Sequence, residues 1–262
     1  MKHITFLLIS LLGLSFLSGC KNEAKTHPQQ EWVSIFNGEN LEGWHVKIRG
    51  YQLDENYNNT FTVEDSAIKV NYTEYDSFNS KYGHLFYKAP FSNYKLRFKY
   101  RFTGEQVLGG EGWATKNSGV MVHSQKPESM LLDQEFPVSI EVQLLGGLEE
   151  ERSRSTGNLC TPGTHVEMDG KLVTDHCISS NSETFYGEEW IELLVAVYND
   201  SLIAHYINGK PVMSYSKPII GGNFNTFPNK EGQPLKSGYL ALQSESHPIE
   251  FKDIEILDLD QN

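Results

Sequence analysis

The chain has 262 residues, of which 39% are hydrophobic, 12% aromatic and 21% charged, a composition that fills a sizeable core and excludes a disordered chain. Its 22 Lys and Arg against 34 Asp and Glu give a formal charge of -12, a surface that repels a phosphate backbone, so no nucleic-acid partner is expected. Neutral sugars or their oxidised derivatives fit better, because stacking and uncharged hydrogen bonds hold them without a basic field.

Taken in chain order, the first element is an export signal. Lys2 supplies positive charge, residues 4–17 are apolar, and Leu17-Ser18-Gly19-Cys20 follows at once. The apolar run is too short to span a membrane comfortably. Its last four residues are similar to a bacterial lipobox, in which cleavage falls just before a cysteine that is then lipidated. The expectation is a lipoprotein signal peptide over 1–19, a lipid on Cys20, and a polar tether over 20–30 that holds a single domain, 31–262, at a membrane of the cell envelope. An ordinary secretory signal with a chance cysteine is the alternative.

Beyond the tether, short β-branched or alternating runs recur between turn residues, and no stretch has the sustained three-and-four apolar spacing of a long helix. The chain reads as all-β. The clearest strands are 94–102, 119–123, 139–145, 191–198, 202–207, 238–243 and 249–257. Asn199-Asp200 and Asn208-Gly209 are turn pairs that join consecutive hairpins. Irregular stretches at 104–116, 146–186 and 216–236 are long enough to be site-forming loops. Within them Cys160 and Cys177 remain as an even pair in an exported chain, where a disulfide worth roughly 3 kcal/mol is permitted; two buried free thiols are the alternative.

Period-two alternation separates the two faces of each strand. Ile140, Val142 and Leu144 form one set, leaving Glu141 and Gln143 on the other face. Leu240 and Leu242 oppose Gln243 and Glu245 in the same way, Val120 and Val122 oppose Met121 and His123, and Arg97, Lys99 and Arg101 oppose the aromatics of their strand. If these strands share a sheet, Arg101, His123, Glu141, Gln143, Gln243 and Glu245 form one polar surface. Amide side chains on it would suit sugar hydroxyls, because they both donate and accept. A solvated outer face has the same polarity.

Phe36-Asn37-Gly38-Glu39-Asn40-Leu41-Glu42-Gly43-Trp44 is similar to the opening F-N-G-x-x-L-x-G-W of the 3-keto-disaccharide hydrolase family. Further matches follow in order: Arg101, Asn117-Ser118-Gly119-Val120, Glu141-Val142-Gln143, Thr156-Gly157, Glu189-Trp190, Asn208-Gly209-Lys210, and the run from Gly238 to Gln243. The resemblance implies a two-sheet antiparallel β-sandwich, a concanavalin-like jelly roll. It also implies an oxidised sugar as substrate, a glucoside made into a ketone at carbon 3 by a partner sugar 3-oxidoreductase. The ketone acidifies the carbon 2 proton, a base removes it, and the enolate expels the substituent on carbon 1. Laminarinase-like relatives of this fold carry E-x-D-x-x-E on one strand, whereas Glu141-Val142-Gln143-Leu144-Leu145-Gly146 lacks the second and third carboxylates, so two-carboxylate glycoside hydrolysis has no pair there.

The candidate base is His123 or Glu141, either of which titrates near working pH if partly buried. Arg101 is the candidate for holding the enolate oxygen, with an ion pair to Glu141 as its alternative role. Asn117, Gln143, Gln243 and Glu245 are candidate hydroxyl binders, and Trp113 is a candidate stacking platform, as are Trp44 and Tyr186. No cofactor is certain. A divalent metal would draw on His165 and Glu167 first, with His123, Glu141, Asp175 and His176 as further donors, but no tight metal motif is present and surface histidines are the simpler reading. A non-catalytic carbohydrate-binding lipoprotein and a conventional endo-glucanase are the competing functions.

Overall fold

The computed structural model describes Met1 and residues 31–148 and 152–260. The expected signal peptide at 1–19, the tether at 20–30 and the lipidated Cys20 lie outside the described residues. Two antiparallel sheets face one another. The seven-stranded sheet runs, in spatial order, Cys177–Ile178, Asn158–Cys160, Ile140–Leu145, Asn117–Ser124, Tyr239–Ser244, Gly83–Tyr87 and Trp44–Ile48. The ten-stranded sheet runs Lys171–Val173, Thr164–Met168, Lys210–Ile220, Leu202–Ile207, Ile191–Tyr198, Asn93–Phe102, Ile249–Asp258, Ala67–Val70 and Phe61–Glu64, with Val33–Ser34 added beside Ile249–Asp258. The seven strands expected from alternation are all present, their ends shifted by no more than two residues.

Alternation explains the core between the sheets. Val120, Ile140, Val142, Leu144, Leu240 and Leu242 from the smaller sheet meet Tyr94, Leu96, Phe98, Tyr100, Leu193, Val195 and Phe251 from the larger. Every second residue of Asn93–Phe102 is buried, as a strand with one solvated face requires. The polar residues between them point outward, where Arg97, Lys99 and Arg101 pair with Glu255, Asp253 and Glu250 of the neighbouring strand at 2.7, 2.9 and 2.7 Å.

Positive φ at Asn199 (54°), Asn208 (48°) and Gly209 (75°) closes the two expected hairpins. The stretch 146–186 is not one loop, since it contributes four short strands and a disulfide between Cys160 and Cys177, partners in adjacent antiparallel strands. His205 lies buried under this region, its Nδ1 bonded to the Gly157 carbonyl and its Nε2 to the Tyr215 hydroxyl. The first bond ties the larger sheet to the turn that leads into Asn158–Cys160, and the second fixes the imidazole from the neighbouring strand of its own sheet.

Candidate active site

The outer face of the smaller sheet is buried rather than solvated, because the loops cover it. A cavity of about 300 Å³ opens there, with Asn117, Glu141, Gln143 and Glu245 on its floor and Tyr82, Trp113, Phe136, Phe224, His176 and the Cys160–Cys177 disulfide in its walls. A larger groove of about 660 Å³ at the edge of the other sheet is open, and its lining includes Glu64, Glu74, Glu105 and Glu250 but no Trp or Phe. The smaller cavity is the one that combines aromatic walls with buried titratable groups, the usual signature of a site.

The floor is built by strand register. Met121 lies opposite Glu141 and Glu141 opposite Cys160, while Gly119 lies opposite Gln143 and Gln143 opposite Asn158. The Glu141 side chain leans across Gly119 and fills the space where any other residue would carry its Cβ. Asn158 steadies Gln143 by donating from Nδ2 to Gln143 Oε1 at 3.1 Å. Asn117 Oδ1 and Glu245 Oε2 are buried without a hydrogen-bond partner in the protein. Unpaired buried acceptors are costly, and here they face a cavity able to hold a polar ligand.

Burial alone pushes the Glu141 carboxyl well above the usual carboxylate range. Glu245 is raised by burial first and by the negative charge of Glu141 second, while the positive charge of Arg154 partly offsets both. The two carboxyls therefore titrate as a pair: ionising one keeps the other neutral. That arrangement places a buried proton acceptor and a buried proton donor in one cavity, the equipment of general acid–base catalysis.

The walls come from loops. Trp113 is 54% exposed and runs parallel to Tyr82, their ring centroids 6.5 Å apart with planes 11° from parallel. Phe136 packs edge-on against Phe224 at 5.3 Å and tilted against Tyr82 at 5.1 Å. Arg154 fixes the loops: it donates to the carbonyls of Thr115, Lys116 and Gly146 at 2.7, 3.1 and 2.7 Å, and to that of Trp113 at 3.3 Å.

Of the residues singled out from the sequence, Asn117, Glu141, Gln143, Glu245 and Trp113 meet in this cavity. Gln243 lies on the same face but buried beneath, opposite His84, and outside the lining. His123 does not join them. A bulge sets Ser124 opposite Tyr239 and Met121 opposite Ala241, and His123 takes φ 49°. Its side chain turns inward, donating from Nε2 to the Asn199 carbonyl at 3.0 Å beside the ring of Tyr94. Gly238 permits this, because a Cβ there would lie 2.4 Å from the His123 carbonyl carbon.

Arg101 is also elsewhere. Its strand belongs to the larger sheet, and its guanidinium lies against Glu250 and over the Trp190 ring, not against Glu141. The two leading metal candidates are separated from the cavity: Glu167 pairs with Lys217 at 2.6 Å, and His165 packs over Gly221 and Gly222. Among the described residues no three His, Cys, Asp or Glu side chains cluster in a way that would hold a metal ion. Trp44 is a core residue that donates to the Ile35 carbonyl, and Tyr186 covers Gly147 outside the cavity.

The sequence did not flag Tyr82, Phe136, Phe224 or Arg154, all of which stand outside alternating strand patterns. It placed Glu245 on the same face as Glu141 but named it only as a hydroxyl binder, not as the second carboxyl of a pair, because the partner comes from a different strand. Glu245 follows Tyr239–Ser244, and the sheet rather than the local motif brings it to Glu141.

The family model described as a 3-keto-alpha-glucoside-1,2-lyase-like domain matches residues 31–257. The chain belongs to that family. Membership supports a carbohydrate-active function. Two Parabacteroides distasonis proteins of known crystal structure, provisionally named glycosyl hydrolases, share its fold. One is 19% identical with a TM-score of 0.53, covering 87% of this chain and 94% of the other; the second is 18% identical with a TM-score of 0.52, covering 87% and 100%. A carbohydrate-binding module from Bacillus subtilis is more distant, at 9% identity, 82% and 96% coverage and a TM-score of 0.44. No curated protein matches the chain.

Proposed function

We propose that this family member cleaves 3-keto-glycosides by elimination, with Glu141 and Glu245 as the working pair. The observation that carries the reading is the meeting of two buried, mutually coupled carboxyls in an aromatic-walled cavity. Glu141 as carboxylate takes the proton from carbon 2. The electrons of that C–H bond form an enolate with the carbon 3 carbonyl. They then return to make the carbon 1–carbon 2 double bond as the carbon 1–oxygen bond breaks. Glu245, held neutral by the charge on Glu141, gives its proton to the departing oxygen. Water adding to carbon 1 completes a net hydrolysis.

The Asn117 amide lines the same cavity as both carboxyls and is the uncharged group to hold the carbon 3 oxygen, in place of Arg101. Trp113 and Tyr82 offer apolar faces for the ring. In the proposed setting the protein is exported and lipid-anchored through Cys20, acting on sugars supplied by an oxidoreductase.

Two carboxylates are also the equipment of a conventional glycosidase, and Glu245 restores the pair that the Glu141 strand lacks. Family membership favours the keto route. Incubating the protein with 3-keto-trehalose or a 3-keto aryl glucoside tests it: the reading predicts released aglycone, lost in Glu141→Gln. Release from the unoxidised glycoside instead would establish the conventional enzyme, and binding without release would establish a lectin-like protein.

A further inference from the structure

A second cavity of about 470 Å³ adjoins the first and shares Trp113 as its partition. Its lining is rich in hydroxyls, among them Ser153, Ser155, Ser179 and Ser180, with the Asn158 amide between them. This lining is organised: Ser155 Oγ donates to Asn158 Oδ1 at 2.8 Å, the Ser180 amide donates to the same oxygen at 2.9 Å, and Asn158 then holds Gln143 on the floor of the first cavity. One side chain thus connects the two spaces, and the Trp113 carbonyl is anchored by Arg154.

The first cavity is small, at the lower end of the volumes that ligand sites occupy. It suits a single sugar ring set against Glu141 and Glu245, and the rest of a glycoside must extend past Trp113. We infer that the serine-lined cavity is the leaving-group subsite, taking a hydroxyl-bearing aglycone such as a second sugar ring against the exposed indole. This inference rests on the elimination reading, since the substituent on carbon 1 is the part that leaves. Ser155 Oγ, whose proton is committed to Asn158, remains free to accept from ligand hydroxyls, and Ser180 Oγ, which donates to the Thr156 carbonyl and accepts from the Ser182 amide, keeps one lone pair.

The test fills the subsite without touching either carboxyl. Ser179→Trp and, independently, Ser153→Trp are assayed beside wild type on methyl 3-keto-glucoside, which lacks a bulky aglycone, and on 3-keto-trehalose. The inference predicts that either substitution raises KM and lowers kcat/KM for 3-keto-trehalose on the order of tenfold or more, with the methyl compound unchanged within about twofold. Two variants guard against one failing to fold, and unchanged methyl-glycoside turnover certifies folding in each. Equal losses on both substrates, or no loss on either, would overturn the subsite. Tighter binding of a 3-keto phenyl glucoside than of 3-keto-trehalose by the inactive Glu141→Gln variant would overturn its hydroxylated specificity. No release from any of the three by wild type would overturn the elimination reading itself.

Discussion

Glu141 lies over Gly119: a Cβ on Gly119 would stand 2.7 Å from Glu141 Oε1 and 2.8 Å from its Cγ. The adjacent strand thus leaves a notch one methyl group deep, and the catalytic carboxyl of the proposed mechanism rests in it. Gly119→Ala should displace that carboxyl and lower kcat/KM by about 10²-fold. The overpacking should cost about 1–3 kcal/mol. Steady-state kinetics beside a thermal melt checks both, and an unimpaired Gly119→Ala enzyme would contradict the placement of Glu141.

The coupling of the two carboxyls has a sign that a pH profile can read. The charge on Glu141 raises Glu245, and by reciprocity charge on Glu245 would raise Glu141. Wild-type activity should rise with pH through an acid limb well above the ~4.3 of a free glutamate. Glu141→Gln should lose about 10³-fold in kcat. Glu245→Gln should lose a similar factor with its acid limb little moved, because Glu245 is already neutral when Glu141 ionises, and it should lose the alkaline limb that Glu245 sets in wild type. An alkaline limb that survives in Glu245→Gln would contradict Glu245 as the proton donor.

Stability follows from the same burial. A carboxyl whose folded pKa is raised is neutral in the folded chain and ionised in the unfolded one between the unfolded value, ~4.3, and the higher folded value. The unfolded chain therefore binds fewer protons in that window, and stability falls as pH rises through it. Glu245→Gln removes this loss. Urea denaturation should find the variant more stable than wild type at pH 8 and much closer to wild type at pH 4.

Arg101 supplies a negative control. It is paired with buried Glu250 and stacked on Trp190 on the far face of the larger sheet, so Arg101→Ala should leave kcat/KM within about twofold while costing about 1–3 kcal/mol of stability. A large loss of activity in the folded variant would bring the residue back into the mechanism.

The disulfide forms part of the cavity wall, so its removal should be felt in both stability and function. Cys160→Ser with Cys177→Ser should cost about 3 kcal/mol. It should also raise KM, because the Cys177–Ile178 edge strand beside His176 loses its covalent tie. Equilibrium unfolding and kinetics under oxidising and reducing conditions measure the two effects.

Alternation in the sequence was sufficient to place Ile140, Val142, Leu144, Leu240 and Leu242 in the core and to set Glu141, Gln143 and Glu245 on the opposite face. It assumes an unbroken period of two, and His123 sits at a bulge where one extra residue reverses the facing. It also carries no information on which sheet a strand joins. Arg101 alternates correctly within its strand yet belongs to the other sheet. Tyr82, Phe136, Phe224 and Arg154 were illegible for a third reason: their positions depend on how loops fold over the sheet, which Arg154 fixes through backbone carbonyls that no side-chain pattern reveals.

The central claim is that cleavage begins with removal of the carbon 2 hydrogen. A 3-keto-glucoside deuterated at carbon 2 measures it most directly, followed by mass spectrometry of the released sugar and corrected for exchange without enzyme. The account predicts that aglycone release is slowed by the label, that the product has lost its deuterium to water, and that Glu141→Gln abolishes both release and loss. Product that keeps its deuterium, released at an unchanged rate, would mean displacement at carbon 1 and would contradict the account.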